Sequence, residues 1–398
     1  MDFEQYIIQG EPGRKERAEN WQVAIGLQAV DGLKPSRYLL QTAQEHIEGG
    51  ISIDEVDRRI ASYYQTADGR REQEGTDEAD GVAARITRLL AEDTFTFSPA
   101  MLASIHRRLF EGILPRAGRY RQTNIKKKEW VLDGASVLYS SCDMIADTLD
   151  YDFEQERMFS YKGIDLPRVV RRISNFVSGI WQIHPFGEGN TRTTAVFTIK
   201  YLRQMGYPVD NEPFKLHSWY FRNALVRANY QNLPAGVERT TEFLELFFRN
   251  LLMGEKNELK NRYLHIRWKD SHLGVSEEMA EYGTPNRKKN DSEKSSEKPK
   301  INTEKNSEKK AESSEKKGAK GSGKMVKSTE KSTKSSEKIL SLISENPSIT
   351  TAALADRLGI STRAVEKHLA NLKAKGRLLR IGPDKGGHWE VVEGLTDI

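Results

Sequence analysis

Apolar residues recur at intervals of three and four through most of the first 282 positions, the period of helices that bury one face. Val169, Ile173, Phe176, Val177 and Ile180 form one stripe, and Val196, Ile199, Leu202 and Met205 form another beyond a segment without periodicity. Strand signals are confined to about Tyr120 to Tyr139, where EWVLDGASVLY sets a Gly-bearing turn between apolar-rich runs. This part of the chain therefore reads as a mainly α domain with one β-hairpin. From Gly283 to Lys338 the pattern disappears. Repeated Ser-Glu-Lys triplets leave only Ile301, Ala311, Ala319, Met325 and Val326 as apolar positions, too few to offset the entropy of ordering, and a disordered linker is predicted. At about 5 to 6 Å times the square root of its length, such a linker reaches roughly 40 Å.

Periodicity returns at Ile339, Leu342 and Ile343, and Asn346-Pro347 ends that helix. Thr350 can cap a second, carrying Leu354 and Leu358 and closing at Gly359. A third begins at Ser361/Thr362, turns Val365, Leu369 and Leu372 inward and leaves Arg363, Lys367, His368 and Lys373 outward. RLLRIG and HWEVVE around PDKGG then read as a second hairpin. Three helices followed by a hairpin resemble a winged helix-turn-helix domain. The resemblance implies a third helix that enters the DNA major groove and a wing, with Arg377, Arg380 and Lys385, that touches phosphate. Use of the same fold for protein contacts or dimerisation stands beside that reading.

Charge changes the picture less than its total suggests. The chain of 398 residues carries +5, but 17 Lys and Arg against 9 Asp and Glu fall within 283 to 338, with 8 against 7 in residues 339 to 398 and 37 against 41 in residues 1 to 282. The basic excess belongs to the linker and is no argument for nucleic acid elsewhere. The linker text GAKGSGK (Gly318 to Lys324) is close to a phosphate-binding loop, yet Met325 stands where Ser or Thr belongs and no strand precedes it, so composition accounts for it. Cys142 is the only cysteine, excluding an intrachain disulfide and a thiolate zinc cluster. With no apolar run of bilayer length and a polar start, the expectation is a cytoplasmic protein without membrane contact.

The chemistry is concentrated in His184 to Thr193, HPFGEGNTRT. A His-Pro break ends one helix, Gly187 and Gly189 let the backbone approach a ligand, and a new helix begins near Asn190, whose free N–H groups suit an anion. Arg192 adds a fixed cationic fork for phosphate oxygens. Glu188 is a hard carboxylate of the kind Mg²⁺ takes when water and phosphate fill its other positions. His184 can accept a proton at neutral pH. Base, metal carboxylate, anion hole and arginine are the parts of a nucleotidyl or phosphoryl transfer site.

The same stretch resembles the signature loop of Fic-family proteins, and the likeness extends over about residues 95 to 250 through IHRRLF (Ile105 to Phe110), PRAGRYRQTNI and the hairpin. The resemblance implies a helical core that uses ATP and Mg²⁺. A flap at about Glu129 to Tyr139 would bind the target protein as an added strand. By position, His184 would deprotonate a target Ser, Thr or Tyr hydroxyl, Phe186 would anchor the loop, Glu188 would hold Mg²⁺, and Gly187, Gly189, Asn190, Thr191 and Arg192 would line the nucleotide phosphates. Two positions depart from the pattern: Thr191 replaces the second loop glycine and is expected to crowd the anion hole, and Ala195 replaces the second arginine. Typical members transfer AMP, whereas the Doc subgroup, with Lys at the position of Thr191, transfers phosphate. The expectation is a bacterial toxin-like protein adenylyltransferase. The other readings are a transcriptional regulator whose catalytically weak Fic domain senses nucleotide, and a Fic enzyme that transfers a different phosphate-containing group.

The N-terminal AIGLQAVDGLKPS aligns with small antitoxins that restrain Fic proteins through a Ser/Thr and a Glu, with Leu27 and Asp31 at those positions. QEHIEGG, with Gln44 and Glu48, is an alternative placement. Because Ala195 removes the arginine such a Glu grips, residues 1 to 65 are expected to cap the core by packing, without an inhibitory ion pair. The expected organisation is thus an antitoxin-like region 1–65, a Fic domain 95–250, a helical extension 251–282, the linker 283–338 and the winged domain 339–398, with a homodimer left open.

Overall fold

The computed structural model describes residues 3–209, 212–268, 337–358, 360, 362–374, 376–381 and 387–392. Residues 283–336 of the expected linker, with its phosphate-loop-like text, lie outside them, as do Gly359, Ser361, Lys385 and residues 269–282, while Glu337 and Lys338 belong to a helix. The first body contains α1 (Glu4–Gln9), α2 (Pro12–Gly26), α3 (Arg37–Glu48), α4 (Ile53–Tyr63), α5 (Ala67–Ala91) and α6 (Pro99–Phe110). These are followed by α7 (Ile145–Arg157), α8 (Leu166–Ile183), α9 (Asn190–Gln204), α10 (Glu212–Ala228) and α11 (Glu242–Met253).

Several of these helices begin where a short polar side chain can take an orphan N–H. Ser36, Ser52, Thr66, Ser98 and Asp165 accept from the third backbone N–H of α3, α4, α5, α6 and α8. The two predicted stripes are buried except for the half-buried Met205, and one apolar core joins them to Phe3, Trp21, Leu27 and Leu39 of the N-terminal region. Residues 3 to 65 are therefore part of the same core. α2 packs on α5 and α10, α6 on α9, and α8 on α11.

α9 departs from the simple amphipathic reading, since every residue from Asn190 to Leu202 is buried. Its polar positions are satisfied internally: Thr193 and Thr198 hydroxyls donate to the carbonyls of Gly189 (2.9 Å) and Thr194 (2.7 Å), and Lys200 Nζ donates to Leu89 O at 2.7 Å. A helix can then be central to a core without being apolar all round.

The flap is not a strand ladder. Trp130–Leu132 form a 3₁₀ turn, Asp133 and Gly134 take left-handed backbone angles, and the loop closes through Glu129 N–H to Ala135 O (2.9 Å) and Gly134 N–H to Glu129 O (3.0 Å). Val131 and Leu132, adjacent in sequence, are both buried, which the alternation of a strand would prevent. Past α11, where a helical extension was expected, Gly254 ends the helix with a left-handed cap. The chain then runs without regular structure to a 3₁₀ turn at Asn261–Leu264.

The C-terminal body has its own core of Ile339, Ile343, Leu354, Val365, Leu369 and Leu372. It comprises α12 (337–345), α13 (Thr351–Leu358), α14 (Thr362–Ala374) and an antiparallel pair, β1 (Leu378–Ile381) with β2 (His388–Val391), in register Leu378 to Val391. Thr350 caps α13 as expected, its hydroxyl accepting from Ala353 N–H at 3.2 Å. No described helix is long and apolar enough to cross a membrane.

Candidate active site

The HPFGEGNTR segment joins α8 to α9, and its shape is fixed from three sides. His184 caps α8 in the left-handed region (φ 50°, ψ 60°), a conformation that costs a non-glycine residue about 1 to 3 kcal/mol. Arg121 holds it there: its Nε donates to His184 O at 2.8 Å, its Nη2 to Ile183 O at 3.3 Å, and its backbone N–H to Pro185 O at 2.8 Å. Asn190 staples the far side, accepting from Phe186 N–H at 3.0 Å and donating to Phe186 O at 2.8 Å. His106 of α6 supports the floor. Its Nδ1 accepts from Gly118 N–H (2.8 Å), so Nε2 carries the proton and donates to Glu188 O (3.1 Å), while its ring stacks on Phe186 at 3.7 Å. Burial lowers the His106 imidazole to about 4, which keeps it in that neutral form.

Gly189 is required by both backbone and space. Its φ is 70°, and a Cβ there would meet the buried Phe110 ring at 2.4 Å. At Gly187 an added Cβ would meet nothing within 4 Å, leaving the loop open on that side. Thr191 does not take up the space expected of it. It is buried, and its hydroxyl accepts from the Trp181 indole N–H at 3.0 Å.

His184 is 3 % exposed. Its Nδ1 lies 3.3 Å from Trp181 O, which assigns the proton to Nδ1, and Nε2 is buried without a hydrogen-bond partner among the described residues. Burial, and then the nearby Lys127 charge, push the imidazole well below its ordinary 6.5. A neutral ring with one free lone pair is a proton acceptor. Tyr139 of the flap covers it at 4.2 Å, and the Tyr139 hydroxyl donates to Glu129 at 3.2 Å. Glu129, itself buried, pairs with Arg222 of α10 at 2.7 Å. Lys127 is only partly buried as a residue, but its ammonium is enclosed. Burial lowers it, against the opposing pull of Asp31, Glu129 and Glu188.

The N-terminal segment does form an ion pair with this site, contrary to expectation. Asp31 lies 2.8 Å from Arg192 Nε, Glu78 of α5 accepts from Arg192 Nη2 at 2.7 Å, and Gln28 accepts from Nη1 at 3.1 Å. Ala195, where the resemblance implies a second arginine, is buried, and the carboxylates pair with Arg192. Of the residues that shape the site, Lys127, Arg222 and Glu78 carry no reading from sequence, His106, Arg121 and Gln28 stand there only within motif text, and Glu129 and Tyr139 only as the limits of the flap. Glu78 carries no local signal, since it is one acid on a long charged helix.

The Glu188 carboxylate is exposed beside the α9 N-terminus. Among the described residues no three His, Cys, Asp or Glu lie close enough to hold a metal by themselves. The donor set therefore suits an ion completed by water and ligand phosphate, the manner in which Mg²⁺ is commonly held, and not a closed protein cage.

Comparison with known proteins gives two domain assignments. Residues 96–202 match the Fic/DOC family, and residues 333–378 match the winged helix-turn-helix DNA-binding family. Among solved structures, BepC, a VirB-translocated Bartonella effector protein from Bartonella tribocorum with bound AMPPNP, is 18% identical over 47% of this chain and 87% of its own, with a TM-score of 0.35. The N-terminal FIC domain of Bep8 from Bartonella sp. 1-1C is 16% identical over 51% and 87%, with a TM-score of 0.32. No curated protein matches the chain.

Proposed function

Given a Fic/DOC domain and a winged helix-turn-helix domain in one chain, we propose that the protein is a Fic-type adenylyltransferase, moving AMP from MgATP to a protein hydroxyl, with a DNA-binding module. The observation that carries the proposal is His184: buried, neutral, its Nδ1 proton directed to Trp181 O, and Nε2 free. His184 Nε2 takes the proton of a target Ser, Thr or Tyr. The target oxygen bonds to the α-phosphorus, the α–β bridging P–O bond breaks, and pyrophosphate leaves. The α9 N-terminus, Gly187, Gly189, Asn190 and Arg192 would receive the phosphates, with Phe186 holding the loop to the core. Glu188 would hold Mg²⁺, which supplies charge neutralisation for the phosphate oxygens when bound. Thr191, turned into the core, leaves the loop N–H groups to the ligand.

Asp31, Glu78 and Gln28 occupy the Arg192 guanidinium that a phosphate would need. The described conformation is accordingly a restrained one, and phosphate binding requires these carboxylates to yield. A target segment would lie along the flap, with Tyr139 displaced from the His184 ring to admit the hydroxyl.

The test is incubation with Mg²⁺ and ATP labelled at the α or the γ phosphate, with His184→Ala as control. Label from the α position alone, absent in the control, is the expected result. Label from γ alone would replace adenylylation by phosphate transfer. No transfer while ATP binds would favour the nucleotide-sensing regulator.

A further inference from the structure

The third helix of the winged domain was expected to present its cations outward, but it packs on α7 of the Fic domain. Arg363 Nε lies 3.5 Å from Asp152 Oδ1, and Lys367 Nζ lies 3.7 Å from Asp147 Oδ1. Arg363 Nη2 also donates to the carbonyl of Asn175 at 3.2 Å. Its guanidinium sits against α8 at Gly179, where a Cβ would come within 2.6 Å of it, so a missing side chain on α8 makes its seat. Apolar contact continues the interface, because Met144, at the start of α7, is buried in the winged domain's core cluster. His368, the third outward residue expected, is 4 % exposed.

Arg363 and Lys367 lie in the first two turns of α14, the part of a recognition helix that reaches base edges and phosphates in a major groove. A helix face packed against α7 cannot enter a groove, and its cations cannot neutralise DNA phosphates while paired. Both ion pairs are long, and the Lys367 pair, whose Asp147 is 54 % exposed, is weak enough to exchange, whereas Asp152 is 7 % exposed and is the firmer anchor.

We propose that the basic face of α14 has two mutually exclusive partners, the acidic face of α7 in the same chain and the phosphate backbone of duplex DNA, so that docking on the Fic domain masks the DNA-binding surface. The proposal rests on the reading of the winged domain as DNA-binding.

The test uses the full chain, wild type and Asp147→Lys/Asp152→Asn, with Asp147→Lys alone as the milder change at an exposed position. Hydrogen exchange of 145–157 and 362–374 reports docking, and anisotropy of a labelled mixed-sequence DNA duplex at one fixed salt concentration reports binding. Expected are faster exchange in both segments of the variants, severalfold tighter duplex binding, and faster exchange of 145–157 in the wild type when duplex is added. Unchanged exchange in the variants would overturn docking. Faster exchange with no duplex binding by any of the proteins would mean that the DNA reading has failed while the docking stands. Duplex binding that leaves 145–157 as protected as before would overturn mutual exclusion.

Discussion

Two cationic sites in this chain are held by its own carboxylates, and they differ in depth. Arg192 has a side chain only 3 % exposed, with Asp31 and Glu78 at 2.8 and 2.7 Å. Arg363 and Lys367 are 27 % and 17 % exposed, with partners at 3.5 and 3.7 Å. Coulomb attraction grows as water is excluded, and removing one partner of a buried pair leaves a desolvated charge. The first contact is thus a lock that must be traded for another anion in place, such as a nucleotide phosphate. The second is a latch that a competing polyanion can open by mass action.

The largest effect expected is on chemistry itself: His184→Ala should lower transfer by about 10² to 10⁴ while ATP binding persists, because loss of a general base commonly costs that much. Rate and binding measured on the same sample separate the two. Next, the lock can be broken without touching the base. Asp31→Asn with Glu78→Gln should tighten binding of a non-hydrolysable ATP analogue by about tenfold, equivalent to about 1.4 kcal/mol. It should also lower the melting temperature, since Arg192 stays buried without a carboxylate. Unchanged affinity by calorimetry would show that the carboxylates do not compete with phosphate.

A third change sharpens the geometry. Gly189→Ala meets a left-handed φ and the Phe110 ring together, and should destabilise the fold by about 1 to 3 kcal/mol in urea titration, with transfer reduced. Acid stability is a separate readout of the same burial. Burial lowers His106 and His46 to about 4 and His184 well below 6.5. The unfolded chain therefore binds protons below its ordinary imidazole pKa that the folded chain refuses. Stability present above about pH 6.5 should fall as pH drops towards about 4. A denaturation midpoint that stays flat over that range would contradict the burial of these rings.

What the sequence made legible was local. The α8 and α9 stripes, the Thr350 cap and the HPFGEGNTR loop each announce themselves within a few residues. What it hid depends on distant partners. Glu78 meets Arg192 across 114 residues. Arg121 acts through carbonyls of the α8 end, which no side-chain pattern encodes. α9 reads as half-exposed because buried threonines such as Thr193 and Thr198 are satisfied by its own backbone. The flap reads as a strand because adjacent apolar residues resemble one until both prove buried. Arg363 and Lys367 read as solvent-facing because their acids lie on the other domain.

The most direct test compares Asp31→Asn/Glu78→Gln with the wild type, and with the same variant carrying His184→Ala, for transfer of α-labelled and γ-labelled ATP in Mg²⁺. The expected result is faster transfer of the α label by the unlocked variant than by the wild type, none from γ, and none once His184 is gone. Transfer from the γ position, or unlocked protein that binds ATP and transfers nothing, would contradict it.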